Sequence, residues 1–269
     1  GIMTAAQFDA HVDAMHSHGY TVLPGILTAD ECSSARRELQ RLRREADRGG
    51  FECLFNKARI FERPYQVPDL LRLIRHFLAP DAILSGMHGS IIEPGGGGGG
   101  LHADGELTGH LHPHSQAAAD QGRRITSHVL GLNTIFCISE FTSTNGATRF
   151  VRGSHRNEGL EIPPTAVEQA QIVEAECGST IVFNTNIWHG ASENRSAAER
   201  YALLVPWRRT WERAEYEMSR VVRPEVLERA GAEGQKIFAI GALPPYLERW
   251  QWDREKGAPK SEFSQLVRA

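Results

Sequence analysis

Over the first 80 positions, apolar residues recur at three- and four-residue spacing behind clear helix starts. Thr4-Ala5-Ala6-Gln7 is a capping-box pattern, in which a hydroxyl and an amide satisfy each other's free backbone N–H groups. Phe8, Val12 and Met15 then share one helical face. Gly19 ends that helix, and Tyr20 to Leu23 reads as a strand stopped by Pro24-Gly25. A second capping box, Thr28-Ala29-Asp30-Glu31, opens a charged helix to about Asp47, with Gly49-Gly50 behind it. Leu70, Leu71, Ile74 and Phe77 mark a third helix, closed by Pro80.

Beyond Pro80 the period shortens. Residues 83–92, 129–138, 148–151, 171–176, 180–183 and 201–207 are short β-branched or aromatic runs, separated by Gly, Pro, Asn and Ser. Strands of this kind point to an all-β barrel or double sheet. Trp211 to about Ala230 is polar and helical in character, and Tyr246, Trp250 and Trp252 form an aromatic tail. The expected fold is mainly β: a double-stranded β-helix (jelly-roll, cupin-like) core with flanking α-helices. A single domain over 1–269 is expected, with a helical part 4–80, a core 83–207 and an extension 208–269.

Composition narrows the function. A chain of 269 residues with 41% hydrophobic content can bury a sizeable core. A net charge of −3 gives no general attraction for nucleic acid or an anionic membrane. No apolar run approaches the ~18 residues of a membrane helix, and no signal-peptide pattern is present, so a cytoplasmic protein is expected. Cys32, Cys53, Cys137 and Cys177 are scattered without a Cys-x-x-Cys pair, which argues against zinc ribbons and a disulfide framework. Oligomeric state is open between monomer and homodimer.

The candidate chemistry lies in His102-Ala103-Asp104 and in Trp188-His189-Gly190. In a strand, residues i and i+2 point the same way, so His102 and Asp104 can converge on one ion. Two imidazoles and a carboxylate are the set that holds non-haem iron(II) on one face and leaves the other open. The triplet alone is common by chance, and its context makes it specific. Before it run six glycines, Gly95 to Gly100, read equally as a hinge or close backbone approach and as a plain flexible loop. After it, His110, His112 and His114 lie in a polar stretch and read as solvated. His88 and His128 read as satisfied core histidines.

Several separated segments, agreeing in order from about residue 19 to 207, resemble the phytanoyl-CoA dioxygenase family. They are Gly19-Tyr-Thr-Val-Leu-Pro-Gly25, then Phe141 through Arg152-Gly153-Ser154-His155, then Gly178 through Trp188-His189-Gly190 to Arg200. Arg152 stands where the family usually has proline. The resemblance implies an iron(II)- and 2-oxoglutarate-dependent oxygenase on a double-stranded β-helix. His102, Asp104 and His189 would hold the metal, with 2-oxoglutarate and O2 at the remaining positions. Oxidative decarboxylation to succinate would then drive attack on an unactivated C–H bond.

The distal carboxylate of 2-oxoglutarate calls for an arginine, which can grip it through parallel hydrogen bonds. Arg195 sits in a turn expected to face water. Arg200 opens a strand in which Ala202 and Leu204 share its inward face, and its separation from His189 is usual in the family. Arg200 is therefore the expected partner. Thr148 and Asn133 are further candidate co-substrate contacts, with ordinary sheet hydrogen bonding as the competing role. His155 reads as structural, and Trp188 as packing. Glycines before His102, where the family often has a polar residue, put one co-substrate contact in question. Asp104 argues against halogenation, since halogenating relatives carry a small residue there.

Hydroxylation, desaturation or oxidative cyclisation of a small molecule is the expected reaction, on a specialised metabolite or else an amino acid or acyl thioester. Phe51 to Arg63, Gly105 to Arg124 and the aromatic tail are the expected substrate-covering segments. Arg41, Arg43 and Arg44 form a small basic patch, read as a solvated helix face. The rival readings are a cupin-like metal-dependent isomerase or hydrolase without 2-oxoglutarate, and a degenerate binding module.

Overall fold

Both capping boxes close in the structure, a computed structural model that describes residues 2–45, 50–105, 122–240, 252–253 and 258–260. Helix α1 spans Ala5–His18, with the Thr4 hydroxyl accepting from the Gln7 N–H and the Gln7 side chain from that of Thr4. Gly19 caps it in the left-handed region and turns the chain into strand β1, Tyr20–Leu23. Helix α2, Ala29–Glu45, opens on Thr28, whose N–H donates to the Glu31 carboxylate at 2.9 Å. Helix α3 is Pro68–Leu78. The Phe51 to Arg63 segment folds as short 3-10 turns with Leu54, Phe55 and Phe61 in the core. Among the described residues, no helix is long and apolar enough to cross a membrane.

The strands that follow are β2 (Ile83–Leu84), β3 (His88–Ile92), β4 (Gly131–Cys137), β5 (Thr148–Phe150), β6 (Gln171–Ile172), β7 (Thr180–Asn184), β8 (His189–Ala191) and β9 (Arg200–Arg208). The larger sheet runs β1-β7-β4-β9-β2, with β3 also on β9, and the smaller runs β6-β5-β8. Every one of these pairings is antiparallel. The expected run 83–92 breaks at Ser85 to Met87, and only two residues of the run 171–176 pair as a strand. The expected helix from Trp211 begins later, at Met218–Val221 and Pro224–Ile237, and Gly231 at φ 65° breaks the second of these. His110, His112, His114, Tyr246 and Trp250 lie outside the described residues, whereas the backbone of Trp252 pairs with that of Pro259.

The larger sheet is buried on both faces. Leu132, Phe136, Val182, Leu203, Val205 and Trp207 pack outward against Leu39, Leu70, Ile74 and Phe77 of the helices. Ile135, Cys137, Ile181, Phe183 and Ala202 pack inward with Phe141, Phe150 and Val173. Strands covered on both sides lose the polar alternation of a half-exposed sheet. That is why β4, β7 and β9 read as continuous apolar runs.

The six glycines form a strap held to the chain's own backbone. Gly95 N–H donates to Asn194 C=O at 2.7 Å, Asn194 N–H to Gly96 C=O at 2.8 Å, and Arg149 to Gly99 C=O at 2.7 Å. The strap delivers His102 to β8, where His102 and His189 exchange two backbone hydrogen bonds of 2.9 Å. Glycine is demanded at particular points. Gly97 has φ 78° and a Cβ there would run into the Ser192 carbonyl; a Cβ on Gly190 would lie 2.7 Å from the Gly100 oxygen. Gly99 meets nothing within 4 Å. Gly97→Ala is expected to cost about 1–3 kcal/mol in urea unfolding, as a strained left-handed position does, while Gly99→Ala leaves the midpoint unchanged. Equal effects at the two positions would rule out this account.

Candidate functional site

The strap and β8 bring His102, Asp104 and His189 together, with one ligand atom of each within 4.8 Å of the others. Asp104 Oδ1 lies 3.4 Å from His102 Nε2, and Oδ2 lies 3.2 Å from His189 Nε2. The Asp104 backbone is anchored as well, its N–H donating to Thr185 C=O at 2.8 Å. His189 Nδ1 is 3.0 Å from the Ile187 carbonyl, which can only accept. Nδ1 therefore carries a proton, and Nε2 is the nitrogen that faces Asp104 and His102. Phe183 and Phe150 pack on the His189 ring, at 4.7 and 5.8 Å between centroids.

The Arg152 to His155 segment fixes the approach to His189. The Ser154 hydroxyl accepts from Trp188 N–H at 2.8 Å, and Val151 N–H donates to Trp188 C=O at 2.9 Å. His155 packs under α1 with Nε2 on the His16 carbonyl at 3.1 Å, and burial lowers its pKa. Trp188 is buried among Ala103, Val151 and Ala166. Both side chains are structural. Ser154, which holds the residue beside His189, carries no sequence signal beyond its place in that segment.

The triad opens onto a cavity of about 320 Å³, walled by the inner faces of β3, β4 and β9 and by β5 and β8. Arg200 lines it, 3% exposed, with its guanidinium 4.4 Å from the Phe141 ring centre. Its Nε has no hydrogen-bond partner, and burial pulls its pKa down to about 10. A buried cation without a carboxylate is costly, so this end of the cavity suits an anionic ligand group. Arg195 is exposed in the turn beyond Asn194. Thr148 is buried on the cavity wall, opposite Ala191 in register. Asn133 also lines the cavity, with both ends of its amide engaged: Nδ2 donates to Asp104 Oδ2 at 2.7 Å, and Oδ1 accepts from Arg208 at 3.1 Å.

Two histidines differ from expectation. His128 is exposed, with its Nδ1 3.0 Å from the Ser127 hydroxyl, because it precedes β4 instead of lying in a strand. His88 is half-buried on the cavity wall, its two ring nitrogens each 2.7 Å from a carboxylate, Glu52 and Glu215. Burial alone would lower its pKa, but Glu215 and Glu52 outweigh that and raise it. Tyr216 also donates to Glu52. None of the described residues from Phe51 to Arg63 lines this cavity.

A family model described as phytanoyl-CoA dioxygenase matches residues 15–202. The chain belongs to the phytanoyl-CoA dioxygenase family. It is a 2-oxoglutarate-dependent non-haem iron dioxygenase, working with iron(II), 2-oxoglutarate and O2. Uncharacterized protein Rv1501 of Mycobacterium tuberculosis is 23% identical to this dioxygenase over 248 residues, 84% of each chain. Dioxygenase af480 of Aspergillus fumigatus is 25% identical over 225 residues, 76% of this chain and 67% of its own. The fold is shared with SnoN, a non-heme alpha ketoglutarate dependent epimerase from nogalamycin biosynthesis, at TM-score 0.61 and 15% identity over 77% of this chain and 82% of SnoN. SnoN has also been solved with Fe3+, alpha ketoglutarate and nogalamycin RO, matching at TM-score 0.59 and 15% identity over 77% of this chain and 85% of that one.

The His88 cluster sets a pH dependence of this dioxygenase's stability. A histidine whose pKa is raised on folding contributes fully below its unfolded value of about 6.5, and the contribution fades as pH rises through the folded value. His88→Gln should therefore cost more stability at about pH 6 than at about pH 9, read from urea midpoints of both proteins. A penalty that grows with pH would contradict the ion-pair assignment.

Proposed function

We propose that His102, Asp104 and His189 hold the iron, and that Arg200 binds the distal carboxylate of 2-oxoglutarate. The observation that carries this reading is the presence of the triad and a buried, unpaired guanidinium in one cavity. Two neutral imidazoles and one carboxylate suit iron(II) and leave coordination positions for co-substrate and oxygen. When bound, the iron supplies the oxidative decarboxylation of 2-oxoglutarate and the oxidation of a C–H bond.

The remaining work falls to the protein. Ile187 keeps His189 in the tautomer that offers Nε2. Arg200 orients the co-substrate along the inner face of β9, while Phe141 and Phe183 exclude water around it. Thr148 offers a hydroxyl from the facing sheet. Asp104 occupies the position that a halide would need, so the reaction is hydroxylation, desaturation or oxidative cyclisation.

The substrate is a small molecule, and we assign it to specialised metabolism over acyl thioesters. Arg41 is paired with Glu38 and Glu45, and Arg43 with Glu199, so these two cations of the patch are not set aside for a phosphate-bearing carrier. The shared fold with SnoN, which is named for nogalamycin biosynthesis, supports the same direction.

Iron(II) and 2-oxoglutarate added together without oxygen should give a weak visible charge-transfer band, and oxygen should then yield succinate. His102→Ala is expected to abolish both. Arg200→Gln should weaken 2-oxoglutarate by about ten- to a hundredfold, the worth of hydrogen bonds to a charged group, with metal affinity retained. Tight zinc binding without any 2-oxoglutarate binding would favour the cupin-like reading instead.

A further inference from the structure

The approach of Asn133 to Asp104 is part of a longer chain of contacts. Asp104 Oδ2 accepts from Asn133 Nδ2 at 2.7 Å, and Asn133 Oδ1 accepts from Arg208 Nη1 at 3.1 Å. Arg208 is 4% exposed, at the opposite end of β9 from Arg200, and Nη1 also donates to the Trp207 carbonyl at 2.9 Å. A guanidinium can only donate and a carboxylate can only accept. The Asn133 amide, fixed between them, must turn its oxygen to Arg208 and its NH2 to Asp104. Without Arg208 the amide could rotate and set its oxygen against the carboxylate.

The sequence makes room for this arrangement. Gly131 is the register partner of Arg208 and lies two residues before Asn133, on the same face of β4. A Cβ at Gly131 would fall 2.9 Å from Arg208 Nη1, 3.1 Å from its Cδ and 2.9 Å from Thr185 Cγ2. Gly131 is not among the glycines with positive φ, so the position demands space and not backbone freedom. The absent side chain lets the Arg208 side chain fold back across β4. The Asp104 backbone is tied to the same place: its N–H donates to Thr185, and Thr185 N–H to the Gly131 carbonyl at 3.2 Å.

We infer that Asn133 and Arg208 are positioning residues for the metal carboxylate: Arg208 orients Asn133, and Asn133, through its hydrogen bond to Oδ2, fixes the Asp104 carboxylate in the orientation that faces the two imidazoles. This rests on the proposed assignment of Asp104 as an iron ligand. It gives Asn133 a task different from contacting 2-oxoglutarate, and it gives Arg208 and Gly131 a part in the site.

The test is calorimetric titration of the full chain with Co(II), in the absence of 2-oxoglutarate, for wild type, Asn133→Ala, Arg208→Lys, the double variant and Gly131→Ala. Loss of an orienting partner behind a metal ligand typically weakens metal binding by about ten- to a hundredfold, and this is expected for Asn133→Ala. Gly131→Ala, which retains both side chains but displaces the guanidinium, should weaken Co(II) in the same direction. The double variant should be no weaker than Asn133→Ala, because Arg208 acts through Asn133. The Co(II) absorption bands should change shape in each variant, and 2-oxoglutarate affinity at saturating Co(II) should not.

Unchanged Co(II) affinity with weakened 2-oxoglutarate would overturn the inference and make Asn133 a co-substrate contact. Unchanged affinity for both, with only a lower melting temperature, would overturn it in favour of a purely structural role. Additive losses in the double variant would separate Arg208 from Asp104. If the wild-type protein bound no Co(II), the metal-site assignment would fall and this inference with it.

Discussion

Two backbone hydrogen bonds between His102 and His189 decide whether this protein has a site at all. The residues are far apart in sequence, and the bridge lies between further backbone contacts of the same two segments, Gly95 and Gly96 with Asn194 and Asp104 with Thr185. One follows a strap of glycines, and the other opens a strand of three residues. The reciprocal bridge sets their imidazoles side by side, 4.4 Å between ring centres, and Asp104 follows two positions on. The bridge requires close backbone approach on both sides. Glycine at 190 and the strap's contacts with Ser192 to Asn194 provide it.

The sheets explain why a cavity exists beside that bridge. On the outer face of the larger sheet, apolar side chains of the helices pack against those of β4, β7 and β9. On the inner face, apolar packing covers only part of the area, and β9 carries an arginine at each end. The two cations have opposite circumstances. Arg208 is satisfied by protein acceptors, whereas Arg200 keeps a nitrogen without one. An uncompensated buried cation destabilises the fold by roughly several kcal/mol. On the proposed assignment, the distal carboxylate of the co-substrate would supply the acceptor that Arg200 lacks.

Much of this could be read from the chain. The capping boxes at Thr4 and Thr28 are local patterns with local causes, and both formed. The convergence of His102 and Asp104 is expected from strand geometry, yet only an isolated bridge at His102 forms there and no strand runs through 102–104; Arg200 can be placed inward from the apolar company of Ala202 and Leu204. What escaped were relations between distant strands. Gly131 and Arg208 are unremarkable until β4 and β9 are paired in register, and only then does the reach of Arg208 to Asn133 appear. The glycine strap was left open because composition reports freedom of backbone but not what the backbone must approach. His88 looked like core because its carboxylate partners lie in two other segments, before the first 3-10 turn and after β9.

The hold of Asn133 on Asp104 limits how this site can diverge. Exchanging Asp104 for a small residue would open a coordination position, but it would leave the Asn133 amide pointing at nothing. The amide, half-buried on the cavity wall, would lose that acceptor and be free to turn against Arg208. A lineage that leaves oxygen insertion for another chemistry would therefore have to rework positions 104, 133 and 208 together. In the proposed site the aspartate is thus tied to its neighbours on β4 and β9 as well as to the metal.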